Sequence, residues 1–450
     1  MLLRMCLGLC FLFLSVSQIF ADQTPIEDVV RQLQKRIEIL EQKLSQQDAY
    51  IASQKNESSA QQAKISDYEL RLSQLDEKIT RKEISPVELA KGLDISVGIT
   101  AIAQGTSNVN NATSGVEKKS DRTDASYSTD IILIKEFQDA NSRAFVHLEA
   151  GKGDGLNDDL TLYSNVNNDP DNNEDAHLTE AWYEQMLLNG KLALTVGKLD
   201  PTAYFDNNQA ANDETAQFLS GMFVNNPVVE FPGNSAAIRV AYMPKDWVEL
   251  GYEVLDANSD WEKLGDNLFN MGEINFKPKL FNLDGNYRFY AWNNNAYHTK
   301  WTDTDKTKEN SYGAGLSFDQ RLNDMATVFT RYGWQYPKVY NPDTLATGNI
   351  NYSLGQSWSA GLQLEGKPWG RDNDVLGIAV GQIFPSVKYK KRNNYLAKPE
   401  GHFETYYKIF LNKYLSVSPD LQYIWNPFGK DVSGDTAGIF IGGVRAQVDF

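Results

Sequence analysis

From Gly92 to Phe450 the chain repeats one arrangement: segments that alternate apolar and polar residues at period two, joined by connections whose length depends on parity. Leu93, Ile95, Val97, Ile99 and Ala101 alternating with Asp94, Ser96, Gly98 and Thr100 set the pattern. Sixteen such segments can be marked, near 93–104, 126–137, 142–151, 176–188, 191–199, 235–243, 246–255, 267–277, 283–292, 311–319, 325–335, 357–365, 374–383, 402–412, 418–426 and 437–450. Long connections follow odd-numbered segments, as at 105–125, 152–175, 200–234, 293–310, 336–356 and 384–401. Short ones follow even-numbered segments: Gln138–Asn141, Asn189-Gly190, Pro244-Lys245 and Asn323-Asp324. A membrane barrel must sort its loops this way, because its turns are short on the periplasmic side and its loops long outside. A soluble sandwich has no such reason. The pattern predicts an all-β transmembrane barrel of about 16 antiparallel strands, with both termini in the periplasm.

The last segment agrees. Gly438, Phe440, Gly442, Val444, Ala446, Val448 and Phe450 fall on one face, with Ile441, Gly443, Arg445, Gln447 and Asp449 on the other. An apolar outer face ending in an aromatic carboxylate is what outer-membrane barrels present to the barrel-assembly machinery. Closure follows from the solvent, since hydrocarbon cannot hydrogen-bond a free strand edge and each orphan amide costs several kcal/mol. Strand 1 is therefore expected to pair with strand 16. Trp, Tyr and Phe near strand ends (Tyr242, Trp247, Trp334, Trp358, Tyr406 and Trp425) suit interface girdles.

The N-terminus is built differently. Met1-Leu2-Leu3-Arg4, an apolar run from Met5 to Leu14 and small residues to Ala21 make a signal peptide, 1–21. Both cysteines, Cys6 and Cys10, lie within it, and Leu9 makes Cys10 a poor lipidation site. The mature chain then has no thiol, which excludes disulfides, Cys-ligated metals and thiol catalysis. Residues 22–85 form the next segment. Ile26, Val30, Leu33, Ile37, Leu40, Leu44, Ile51, Ile65, Tyr68, Leu72, Leu75 and Ile79 hold one heptad frame, continued through Gln47, Gln54, Ser58 and Gln61. That periodicity predicts an α-helical coiled coil over 26–84, a rod on the order of 85 Å long. A lone amphipathic helix is the alternative. The rod would provide homo-oligomer or cell-wall contact in the periplasm. A linker, 86–92, carries Pro86 and Gly92, and the barrel domain spans 93–450.

Three stretches resemble the carbohydrate-selective porin family (OprB-type). The first runs from Gly197-Lys198-Leu199-Asp200-Pro201-Thr202-Ala203-Tyr204-Phe205-Asp206-Asn207-Asn208 through Asn212-Asp213-Glu214-Thr215-Ala216-Gln217-Phe218-Leu219. The second is Phe223-Val224-Asn225-Asn226-Pro227, running to Phe231-Pro232; the third is Glu404-Thr405-Tyr406-Tyr407 with Ser418-Pro419-Asp420-Leu421-Gln422-Tyr423-Ile424 and Asn426-Pro427. The resemblance implies a sixteen-stranded barrel that passes sugars. The coiled coil is not part of the minimal family pattern.

By parity, 200–234 is the third external loop, the one that folds inward in general porins. It mixes Asp206, Asn207, Asn208, Asn212, Asp213, Glu214 and Gln217 with Tyr204, Phe205, Phe218 and Phe223. Sugar hydroxyls need donors and acceptors and their C–H faces need rings, so the mixture suits a carbohydrate constriction. Packing of the loop on the wall is the competing role. Period two also directs Arg143, His147 and Glu149 into the lumen, with Arg239, Arg288, Arg331 and Arg445. Glu180, Trp182 and Glu184 share a face opposite Ala181 and Tyr183. A charge facing lipid costs about 2–4 kcal/mol at the midplane, so inward placement is favoured. Such charges set selectivity or brace the barrel.

The expected function is a passive outer-membrane diffusion channel for carbohydrates or similar small polar solutes. A siderophore-type porin and an envelope tether built on the coiled coil are alternatives. A net charge of −16 argues against nucleic acid as a partner. Catalytic residues, cofactors and metals are not expected. Asp169, Asp171, Asn173, Asp175 and Glu180 fall at EF-hand-like offsets, but Glu174 replaces the required glycine.

Overall fold

The computed structural model describes Arg31, Gln34 and Lys35 together with residues 92–110, 120–346, 350–392, 396–430 and 438–450. The signal peptide expected at 1–21, the coiled coil at 26–84 apart from those three residues, and nearly all of the 86–92 linker lie outside the described residues. The chain divides into two compact units, Met1–Leu89 and Ala90–Phe450, and the second is the barrel.

Sixteen long strands follow in chain order: β1 Leu93–Thr106, β2 Arg122–Phe137, β3 Ser142–Lys152, β4 His177–Leu187, β5 Leu192–Leu199, β6 Ser235–Lys245, β7 Val248–Asp256, β8 Leu268–Phe276, β9 Leu283–Lys300, β10 Glu309–Arg321, β11 Ala326–Gln335, β12 Leu354–Glu365, β13 Val375–Pro385, β14 Glu400–Phe410, β15 Leu415–Trp425 and β16 Gly438–Asp449. Each pairs antiparallel with the next. β1 then pairs with β16, from Gly98 opposite Asp449 to Thr106 opposite Ile441, and the sheet closes. Below this seam the terminal residue is fastened twice: Val97 donates to Phe450 O at 2.7 Å and Phe450 N donates back at 3.0 Å. No helix among the described residues is long and apolar enough to cross a membrane. The crossing is made by strands.

The faces sort by parity because lipid meets one side of the sheet and the lumen the other. On β1, Ile95 and Ile99 are exposed outside while Thr100 and Gln104 are buried inside; on β16, Phe440, Val444 and Phe450 are exposed while Arg445 and Gln447 are buried. The even-to-odd turns are tight, and several use left-handed backbone: Leu188, Asn189 and Gly190 join β4 to β5 at φ 51°, 56° and 81°.

Two details depart from the sequence expectation. β9 continues to Lys300 through an irregularity between Asn294 and His298, so the loop expected to begin at 293 begins at 301. Asn293–Asn295 break the apolar alternation, yet a strand can outrun the membrane on ladder hydrogen bonds alone. Tyr406 is not a girdle residue. It is buried inside, with its ring edge-on to Phe218 at 5.0 Å, because Glu404 and Tyr406 share the face opposite exposed Phe403.

Candidate functional site

The connection from β5 to β6, residues 200–234, runs inside the barrel. It starts with a cap: the Asp200 carboxylate accepts from Thr202 N at 2.8 Å, opening a short turn, Pro201–Ala203. Ser220 caps one helical turn, α1, Gly221–Val224. Apolar side chains between these points fix the loop to one side of the lumen. Phe205 and Val229 join Leu255, Phe269, Met271, Tyr290 and Trp292 of β7–β9. Phe218, Met222, Phe223 and Val228 join Phe329, Ala379, Ile383 and Tyr406 of β11–β14. Glycines in the wall make room for the loop's side chains: a Cβ on Gly333 would lie 2.4 Å from the Val228 side chain, and one on Gly381 2.4 Å from that of Met222.

Polar clamps complete the docking. Arg331, 1% exposed, donates to Asp206 O at 2.8 Å, Phe223 O at 2.6 Å and Asn212 Oδ1 at 3.2 Å, and its Nε lies 3.2 Å from the Asp206 carboxylate. The same carboxylate accepts from Asn226 N at 2.7 Å. Arg445 donates to Glu214 O at 2.6 Å and Gln217 O at 2.8 Å. Glu404 accepts from Leu219 N at 2.6 Å and Ser220 N at 3.0 Å. A buried guanidinium facing loop carbonyls satisfies groups that water can no longer reach.

The residues expected to line the pore therefore divide. Phe205, Asp206 and Asn208 are buried in the contact between loop and wall; Asn208 donates to Ser317 and to Phe318 O. They do not line the open lumen, because the clamps draw them onto β8–β11. Asn207 donates to Ala203 O within its own turn. Gln217 donates to Gln209 O. Asn212, Asp213 and Glu214 face a cavity of about 730 Å³ between the loop and the opposite wall. Asp130, His147, Glu149 and Glu180 line it from β2–β4, with Asp169 and Asp200 from loops. Tyr204 lies at the other flank under Arg239, whose guanidinium is 4.2 Å from the ring centre. Glu184 joins Arg143 at 2.9 Å and Arg239 at 3.8 Å, and Trp182 donates to Glu180 at 3.1 Å. Arg288 is paired with Asp319 at 2.7 Å.

The sequence reading missed a second inward loop. Residues 153–176 also turn into the barrel: Leu156, Leu160 and Val166 pack with Ile424, Ile439 and Ile441. Glu400 accepts from Tyr163 N at 3.0 Å, and Asn165 Oδ1 accepts from Gly221 N at 2.8 Å, joining the two loops. Period two alone would have placed Glu400, His402, Glu404, Asp420 and Gln422 inside. All five are buried.

A family model described as "Carbohydrate-selective porin, OprB family" matches residues 143–450. Porin AaxA of Chlamydia pneumoniae is 22% identical over 62% of this chain and 58% of its own length. Porin B of Pseudomonas aeruginosa is 23% identical over 61% of this chain and 68% of its own. The high-pH structure of Pseudomonas putida OprB superposes with a TM-score of 0.67 at 16% identity, covering 82% of this chain and 96% of that one.

Proposed function

Because the chain belongs to the carbohydrate-selective porin, OprB family, we propose that it is a passive outer-membrane channel for carbohydrates and similar small polar solutes, narrowed by residues 200–234. The observation that carries this reading is the clamped loop: fixed by Arg331, Arg445 and Glu404, it fills one flank of the lumen and leaves a polar cavity on the other. Asn212, Asp213, Glu214 and Glu180 line that cavity and offer acceptors and donors to the hydroxyls of a passing solute. Driving energy is not needed, since the solute moves down its gradient through water.

The residues 22–85 belong on the periplasmic side in this reading, where a coiled coil would meet the cell wall or further copies of the chain. The closing strand and Phe450 are its handle for the barrel-assembly machinery. Full-length protein in a planar bilayer tests the channel. Stepwise conductance, reduced when millimolar maltose or glucose is added, is the expected result. Folded protein that inserts without conducting would overturn the reading.

A further inference from the structure

We infer that the open flank of the lumen favours positively charged solutes, so that sugars or other small polar molecules bearing a protonated amine pass faster than neutral or anionic ones of equal size. This rests on the channel reading and names its substrate class.

The basis is how the charges are distributed. The buried arginines are committed elsewhere: Arg331 and Arg445, each 1% exposed, lie behind the loop with their donors on its carbonyls. Arg288 is held by Asp319, and Arg239 is stacked on Tyr204 near Glu184. The carboxylates are left facing the void. Asp130, Glu149 and Glu180 line it from the wall, and Asp169, Asp213 and Glu214 from the two inward loops. Among the described residues, the positive groups lining this cavity are His147 and Lys413, with Lys408 of β14 near enough to feel the charge of Asp213 and Asp449. His147 is already bracketed by Asp130 at 2.8 Å and Glu180 at 4.0 Å.

Crowding is felt outside the spanning strands. Burial, with Asp130 nearby, pushes the Asp169 carboxyl up to about 6 against its bond from Ser128. Burial, then Asp213, Asp169 and Asp200, pushes Glu214 up to about 8. A cation entering the cavity relieves both. Carboxylates lining a narrow aqueous path raise the local concentration of cations and repel anions.

Full-length protein in a planar bilayer, under a potassium chloride gradient at mildly alkaline pH, gives a reversal potential. The expected cation-to-anion permeability ratio is on the order of threefold or more, collapsing toward one at molar salt as the field is screened. Proteoliposome swelling at the same pH should rank N-methylglucamine, whose secondary amine stays protonated there, above glucose and glucose above glucuronate. Glu149→Gln with Glu214→Gln removes two carboxylates that take no part in the clamp, and should bring the ratio and the three rates together. Anion preference, or glucuronate entering as fast as N-methylglucamine in the wild-type protein, overturns the inference and leaves the channel standing. No conductance at all overturns both.

Discussion

Arg331 shows what one residue can decide. Its inward direction was readable, because Tyr332 beside it is exposed on the lipid side. Its partners were not, since Asp206 lies 125 positions upstream and no local pattern links them. We predict that Arg331→Met destabilises the barrel by about 3–5 kcal/mol, because Asp206 stays buried without its counter-charge. The released loop should also raise single-channel conductance. Thermal unfolding on heat-modifiable gels and bilayer recording check the two effects, and wild-type values in both would discard the clamp. Glu214 carries a pH dependence. A carboxyl raised to about 8, by burial first and then by Asp213, Asp169 and Asp200 nearby, is neutral below that value and charged above it. Cation preference should therefore increase as pH rises through 8, and Glu214→Gln should flatten that rise in reversal-potential measurements.

Elements were legible where one solvent contrast governed them. The sixteen long strands were foreseen from period two, since lipid and lumen impose opposite demands on alternate residues. Loops obey no such contrast, which is why 153–176 went unread: Leu156, Leu160 and Val166 have no common period, only a shared target at Ile424, Ile439 and Ile441. The inward course of 200–234 was expected because parity and length made it the third external loop, the one that folds inward in general porins, whereas the burial of Phe205, Asp206 and Asn208 required the wall. Docking depends on missing side chains. Gly333→Val would drive a methyl into Val228 and Asn226, where even a Cβ meets atoms at 2.4 and 2.5 Å. We expect a lower unfolding temperature and a wider, noisier channel. Gly442→Val is the control, because its Cβ meets only Leu421 at 3.7 Å on the outer face. If both variants behave alike, the close approach is not what seats the loop.

At the scale of the molecule, closure does what disulfides do elsewhere. Each spanning amide finds its partner in the adjacent strand, and the last of these pairings is the β1–β16 seam. Ala446 sits in it opposite Ala101, with β15 on its other side at Val417. Ala446→Pro removes a ladder donor where lipid supplies no substitute, at a cost of several kcal/mol. The compact gel species should be lost, whereas Ala446→Val should keep it. The same reasoning reaches the N-terminal segment. A sheet that closes on itself through the β1–β16 seam is expected to stay shut without Met1–Leu89. An exported chain lacking 22–85 should therefore insert, conduct and keep its reversal potential. Any loss should appear in the envelope or in the number of channels opening together. If instead the shortened chain folds into membranes and carries no current, residues 22–85 are part of the pore, and the barrel cannot be the whole conducting unit.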